Sequence, residues 1–208
     1  MTNYFNHPYC SNSKLSSLGR EIGVLPEILG DPYERFRLGT LADAVITEPE
    51  NLNFKDMIVG QYSFTKAEYN VALAKKKRLE QNKIYASYLK LNPEYQKEVY
   101  LEQFDFGKFK LNMKAKLDYF VPGIVADLKT TASTSQKQFE ECVYRFGYHR
   151  QMVLYCLLTG CKEAILFAVS NIKPYNVFVV RIKEGSKVWN DGLKELNELA
   201  FKYYMTLI

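Results

Sequence analysis

Apolar positions along the chain recur at helical spacing towards both ends and alternate with a period of two in the middle, which divides it into helical and strand-bearing stretches. After a polar lead, a short helical pattern runs from Ser13 to Ile22, with Pro26 and Gly30 as its stop signals. From Tyr33 to Ile46, Phe36, Leu41, Ala42, Val45 and Ile46 suit one helix face that ends at the Glu48-Pro49 step, and Asp43 is the one acid interrupting the run. Thr65 to Leu91 reads as helix and is closed by Asn92-Pro93. Glu98 to Lys129 then alternates, with Gly107 and Pro122-Gly123 as turn signals, and predicts three successive antiparallel strands. Ser135 to Leu158 predicts one long helix stopped by Gly160, followed by strands over Ala164 to Ser170 and Val177 to Ile182. The last helix, Ser186 to Leu207, carries Trp189, Leu193, Leu196, Ala200 and Tyr203 on one stripe. Helices, three strands, a helix, two strands and a helix make an α/β sandwich.

Composition narrows this picture only slightly. With 208 residues, 47% of them hydrophobic, the chain can bury one substantial core, and a single domain is expected: a helical part over 1–95 and a strand-bearing core over 96–208. A net charge of +5 permits a polyanionic partner without demanding one. The start lacks the basic-then-apolar order of a secretory signal and no stretch is apolar enough to span a membrane, so a soluble, cytoplasmic protein is expected. Cys10, Cys142, Cys156 and Cys161 form no close pair, which argues against a zinc knuckle and a disulfide framework and leaves reduced thiols.

Chemistry concentrates in KAKLDYFVPGIVADLKTT. Alternation places Lys114, Lys116, Asp118 and Phe120 on one face of the first strand, and Val125, Asp127 and Lys129 on one face of the next. A two-residue turn at Pro122-Gly123 makes paired positions sum to 245, which sets Asp118 opposite Asp127. Like charges facing each other destabilise a sheet, so a cation between them makes sense of the pair. Two close carboxylates are the minimum oxygen cradle for Mg²⁺, and a lysine projecting beside them can orient water or stabilise charge on phosphorus, which predicts phosphodiester hydrolysis. The alternative is a set of solvated charges bridging to Lys114 or Lys116. Lys108, Lys110, Lys114 and Lys116 likewise read either as a phosphate rail or as the lysines of a solvated edge strand. The cluster Lys75 to Arg78 is open in the same way.

Asp118, the turn, Asp127-Leu128-Lys129-Thr130-Thr131 and the downstream Tyr148-His149-Arg150-Gln151 with Tyr155 resemble the PD-(D/E)XK nuclease superfamily. With HPYCSNSKLSSL and LGTLADAVITEPE upstream, the likeness narrows to the RecE (exonuclease VIII) type of phage recombination exonuclease and runs over most of the chain. The resemblance implies a restriction-endonuclease-like core, a central mixed sheet with antiparallel hairpin strands flanked by helices. It further implies Mg²⁺, with Mn²⁺ as a substitute, bound by Asp118, Asp127 and the Leu128 backbone carbonyl, with Lys129 as the catalytic lysine. Gln151 and Tyr155, four apart on one helix face, would line the site. Lys114, Lys116, Thr130, Thr131, His149 and Arg150 are its expected DNA contacts. Relatives of this type carry a metal-binding His in the N-terminal helix where this sequence has Asp43, itself an oxygen donor suited to Mg²⁺. The cysteine spacing does not suit an iron–sulfur cluster. The implied partners are DNA, a single-strand annealing protein and further copies of the chain in a ring, and the implied origin is a phage or prophage in a bacterial host. An exonuclease resecting duplex ends leads. An endonuclease of the same superfamily, or a DNA-binding protein that has lost turnover, stays open at this point.

Overall fold

A computed structural model describes residues 4–28, 31–53 and 55–208, excluding the side chains of Pro32, Arg35 and Asn51, so the expected stop at Gly30 lies outside the described residues. The N-terminal half is helical: α1 (Asn12–Glu21), α2 (Pro32–Ile46), α3 (Lys66–Glu80) and α4 (Lys83–Leu89), with a two-strand ribbon of β1 (Ile58–Val59) and β2 (Tyr62–Ser63) between α2 and α3. Local chemistry sets the helix starts. Asp31 caps α2, and Thr65 and Glu68 form a reciprocal capping box at α3. The stretch expected as one helix over Thr65 to Leu91 is two, because the Asn82 side chain accepts from the Ile84 and Tyr85 N–H groups and starts α4 afresh. Phe36, expected inside the apolar stripe of α2, is 68% exposed.

The second half builds the sheet from β3 (Glu94–Asp105), β4 (Lys110–Val121), β5 (Ile124–Thr131), β6 (Glu163–Ser170) and β7 (Val177–Lys183). Among the described residues these run in the order β3-β4-β5-β6-β7, antiparallel except for the parallel pair β5 and β6. Parallel neighbours need a crossover, and α5 (Gln136–Arg145) with α6 (Tyr148–Thr159) provides it. The single helix expected there is broken: Gly147 sits at φ +68, and a Cβ on it would stand 2.7 Å from the Arg150 guanidinium. Gly160, at φ +72, ends α6. The C-terminal α7 (Lys187–Met205) starts on the Ser186 side chain and packs on α6, where Gly192 lies against the His149 backbone.

The sheet is covered on both faces. Side chains of α1, α5, α6 and α7 pack with Leu166, Ala168 and Val125 on one side, and those of α2, α3 and α4 with Ile165, Phe167 and Leu128 on the other. Alternate residues of β5 and β6 therefore serve opposite cores. β4 departs from this regularity. Leu111, Met113, Ala115 and Leu117 enter the larger core, but past Asp118 Phe120 enters it and Tyr119 turns to the other side. No helix among the described residues is long and apolar enough to cross a membrane.

Candidate active site

The hairpin joining β4 and β5 turns through Gly123 at φ +93 and pairs Val121 with Ile124, Phe120 with Val125 and Tyr119 with Ala126, the register expected from the sequence. The ladder stops there. Asp118 and Asp127 are thus not a ladder pair, because β4 leaves β5 at this point. In place of a backbone partner, the Leu128 N–H donates to Asp118 Oδ2 at 2.8 Å. A strand residue projects its N–H and C=O to the same side, so the Leu128 carbonyl also faces the opening between the strands. Further back along the edge of β4 that β5 leaves, the N-terminal lead takes its place, with Cys10 bridging Met113.

Asp127 is 2% exposed. Its Oδ1 accepts from the Gln151 amide at 3.1 Å, and that amide also donates to the Tyr155 hydroxyl at 2.7 Å, so α6 grips the acid through one side chain. Its Oδ2 has the Lys129 ammonium 2.5 Å away but makes no hydrogen bond of proper geometry. Lys129 in turn lies 5.0 Å over the Tyr148 ring. On the other side of Asp118, the Gln96 amide stands 3.4 Å from Oδ1.

Electrostatics tie Asp43 to this group. Burial, opposed by Lys129 and reinforced by Asp127 and Glu48, pushes the Asp43 carboxyl up to about 7. Burial and then the charges of Asp127 and Asp43 hold Asp118 well above the usual carboxylate range. Burial alone would lower the Lys129 ammonium, yet the charges of Asp127, Tyr148, Asp118 and Tyr155 together outweigh it and the net shift is upward. Burial, and after it Asp127, raises the Tyr155 phenol, so it is neutral at physiological pH. Among the described residues no three His, Cys, Asp or Glu side chains converge tightly enough to hold a metal ion unaided.

Against known proteins, residues 31–206 match a family described as a PDDEXK-like domain of unknown function, DUF3799. The chain belongs to that family. It has the family's nuclease-type α/β fold, a five-stranded mixed sheet flanked by helices. A candidate exonuclease from Eubacterium rectale shares this fold at a TM-score of 0.59 and 18% identity, over 88% of this chain and 70% of that one. A phage-related exonuclease from Haemophilus somnus 129PT aligns over 98% and 96% of the two chains at 17% identity, with a TM-score of 0.48. No curated protein matches.

Within this PDDEXK-like chain, Asp118, Asp127, Lys129, Gln151 and Tyr155 come together, with Asp43 coupled to them through charge. Of the expected DNA contacts, Lys116 borders this group, its charge acting on Asp43. Lys114 is buried and donates to the Tyr4 and His7 carbonyls at 2.6 and 2.7 Å, and Lys116 pairs with Glu48 at 3.0 Å. β5 pairs with β4 only beyond Asp118, so these lysines lie where β4 has left β5, Lys114 held by the N-terminal lead and Lys116 by Glu48. Arg150 is 0% exposed and His149 is buried; both bind Glu195, and Arg150 also reaches Asn12 and Ser16. Neither has a donor left facing solvent for a phosphate. Thr131 is buried against the Ser133 hydroxyl and Thr130 is half-buried. Sequence reasoning missed Gln96, Thr47 and Glu48 around the acids. The TEPE segment that holds Thr47 and Glu48 was a visible signal, whereas Gln96 carried none.

Proposed function

We propose that the chain is a divalent-metal-dependent deoxyribonuclease that hydrolyses phosphodiesters, acting on linear duplex ends as an exonuclease in recombination. The observation that carries this reading is the buried Asp127, held by Gln151 on one oxygen and left without a hydrogen bond on the other, beside Lys129 and within the field of Asp118 and Asp43. The Lys129 ammonium stands beside Asp127 Oδ2 without a hydrogen bond of proper geometry, and Asp43, Asp118 and Asp127 together outnumber that cation, so this set of oxygen donors fits a hard divalent ion. Asp118, Asp127 and the Leu128 carbonyl would hold Mg²⁺ or Mn²⁺, with Asp43 as a further oxygen donor. Such an ion polarises a phosphoryl oxygen and acidifies a bound water.

The chain's own groups do the rest. Lys129, with its ammonium pKa raised, stays protonated at neutral pH and acts by orienting water and stabilising phosphorane charge, not as a base. Gln151 fixes the Asp127 rotamer and aligns the Tyr155 hydroxyl, a neutral donor for a phosphate oxygen. Burial of the site strengthens each of these interactions relative to water. The same reading includes a single-strand annealing partner and a ring of several copies.

End-labelled linear duplex, closed circles and single strands, incubated with Mg²⁺, Mn²⁺ or EDTA, test it. Loss of linear duplex with circles intact, abolished by EDTA, is expected. Nicked circles favour an endonuclease. DNA shifted in a gel but uncut under every metal overturns the enzyme reading.

A further inference from the structure

The unusual backbone of β3 lies directly across from the acid cluster. Tyr95 pairs with Tyr119 and Lys97 with Leu117, which brackets Gln96 opposite Asp118, and Gln96 adopts φ +51. A left-handed backbone is uncommon for a residue with a side chain and costly inside a strand. Its consequence is visible in both strands. Val99 and Lys97 sit on the side of Leu117 and Phe120, with Lys97 3.9 Å over the Phe120 ring, whereas Tyr95 turns to Tyr119 at 5.4 Å on the opposite side. The facing of β3 thus reverses at Gln96, where β4 reverses at Asp118.

The side chain uses this conformation to make a bridge. Its amide donates to Thr47 Oγ1 at 3.0 Å and approaches Asp118 Oδ1 at 3.4 Å. The Thr47 hydroxyl donates to the Asp43 backbone carbonyl at 2.9 Å, so its oxygen is free to accept from Gln96. A continuous polarity results: Gln96 amide to Thr47 hydroxyl to Asp43 carbonyl in one direction, and Gln96 amide to Asp118 carboxylate in the other. A primary amide suits this position, because it supplies two donors and adds no charge to a cluster of acids that already repel one another.

We propose that Gln96 is a positioning residue for divalent-cation binding: with Thr47 it ties the Asp118 carboxylate to the end of α2 and sets its separation from Asp43. The proposal rests on the metal-dependent reading above. Three acids on separate elements repel each other, and an ion can be gripped only where their spacing is fixed beforehand. The β3 backbone adopts its left-handed turn at the residue whose side chain provides that fixing.

Mn²⁺ binding to the full-length protein, followed by titration calorimetry and by the resonance of free Mn²⁺, reads this without any DNA or turnover. Gln96→Gly keeps the positive φ at no steric cost and deletes the amide, so it should melt like the wild type while binding Mn²⁺ about 10- to 100-fold more weakly. Thr47→Val should weaken binding in the same direction, and combining the two should add little, because each cuts the same tether. Gln103, a second glutamine of β3 at φ +51 whose amide reaches Asn112, is the control: Gln103→Gly should leave Mn²⁺ affinity unchanged. Retention of affinity within about twofold in Gln96→Gly, or full additivity with Thr47→Val, overturns the proposal while leaving the metal site intact. Equal weakening in Gln103→Gly also overturns it, by assigning the effect to the strand. A wild type that takes up no Mn²⁺ fails the metal-dependent reading itself.

Discussion

Replacing Glu195 by Ala should destabilise the fold by stranding a buried charge. Arg150 is 0% exposed and spends its guanidinium on Glu195, on Asn12 Oδ1 at 2.8 Å and on the Ser16 hydroxyl, which joins α1, α6 and α7. His149 adds a contact from Nε2 to the same carboxylate at 2.9 Å. Removing one partner of a buried ion pair costs about 3–5 kcal/mol, chiefly because the remaining charge stays buried. The Glu195 side chain is 24% exposed, so water can partly replace it, and about 2–4 kcal/mol is the fitting range. At about 2–4 °C per kcal/mol for a chain of this size, Tm should fall by roughly 4–16 °C. Arg150→Met added to Glu195→Ala should recover much of the loss, since an apolar side chain in that place leaves no buried charge. Acid should shrink the deficit. Burial tends to raise the Glu195 carboxyl, but His149 and Arg150 outweigh it and hold it below its usual 4.5, so the stability it contributes is present above that value and lost as pH falls through the lower folded one. Urea unfolding and calorimetry across pH measure all three effects. A loss below about 0.5 kcal/mol, or simple additivity of the two substitutions, would refute the reasoning.

Two further outcomes bear on the site and on the helix that presents it. Lys129→Ala should reduce cleavage by about 10²- to 10³-fold while leaving DNA retention in a gel shift and Mn²⁺ uptake in place, whereas Asp127→Asn should lose Mn²⁺ uptake as well; identical behaviour of the two variants would contradict their separate roles. Gly147→Ala should cost about 1–3 kcal/mol or more, because its φ of +68 disfavours a side chain and the new Cβ would meet the Arg150 guanidinium at 2.7 Å, and an unchanged unfolding midpoint would show that α6 does not depend on that turn.

How much the amino-acid order alone determines differs between the sheet and its surroundings. Alternation and the Pro122-Gly123 turn specify the β4–β5 hairpin down to its register, because a strand's phase and a tight turn are local properties. The Ser135, Ser186 and Gly160 signals place helix ends for the same reason. Asp118, Asp127 and Lys129 stand out from strand alternation about one turn, whereas Gln151, Tyr155 and Asp43 entered through the family resemblance.

Tertiary packing alone decided the rest. Whether Lys114 meets a phosphate or the carbonyls of Tyr4 and His7 depends on a segment more than 100 positions away, and whether Arg150 is a DNA contact or a buried tie depends on α1 and α7. Periodicity reports which way a side chain points from its own element and says nothing about what another element brings to meet it. The reversal at Gln96 and Asp118 lies further beyond reach. Alternation presumes an uninterrupted pleat, and a single left-handed residue, stabilised by a helix end and a carboxylate from elsewhere in the chain, inverts every facing assigned past it.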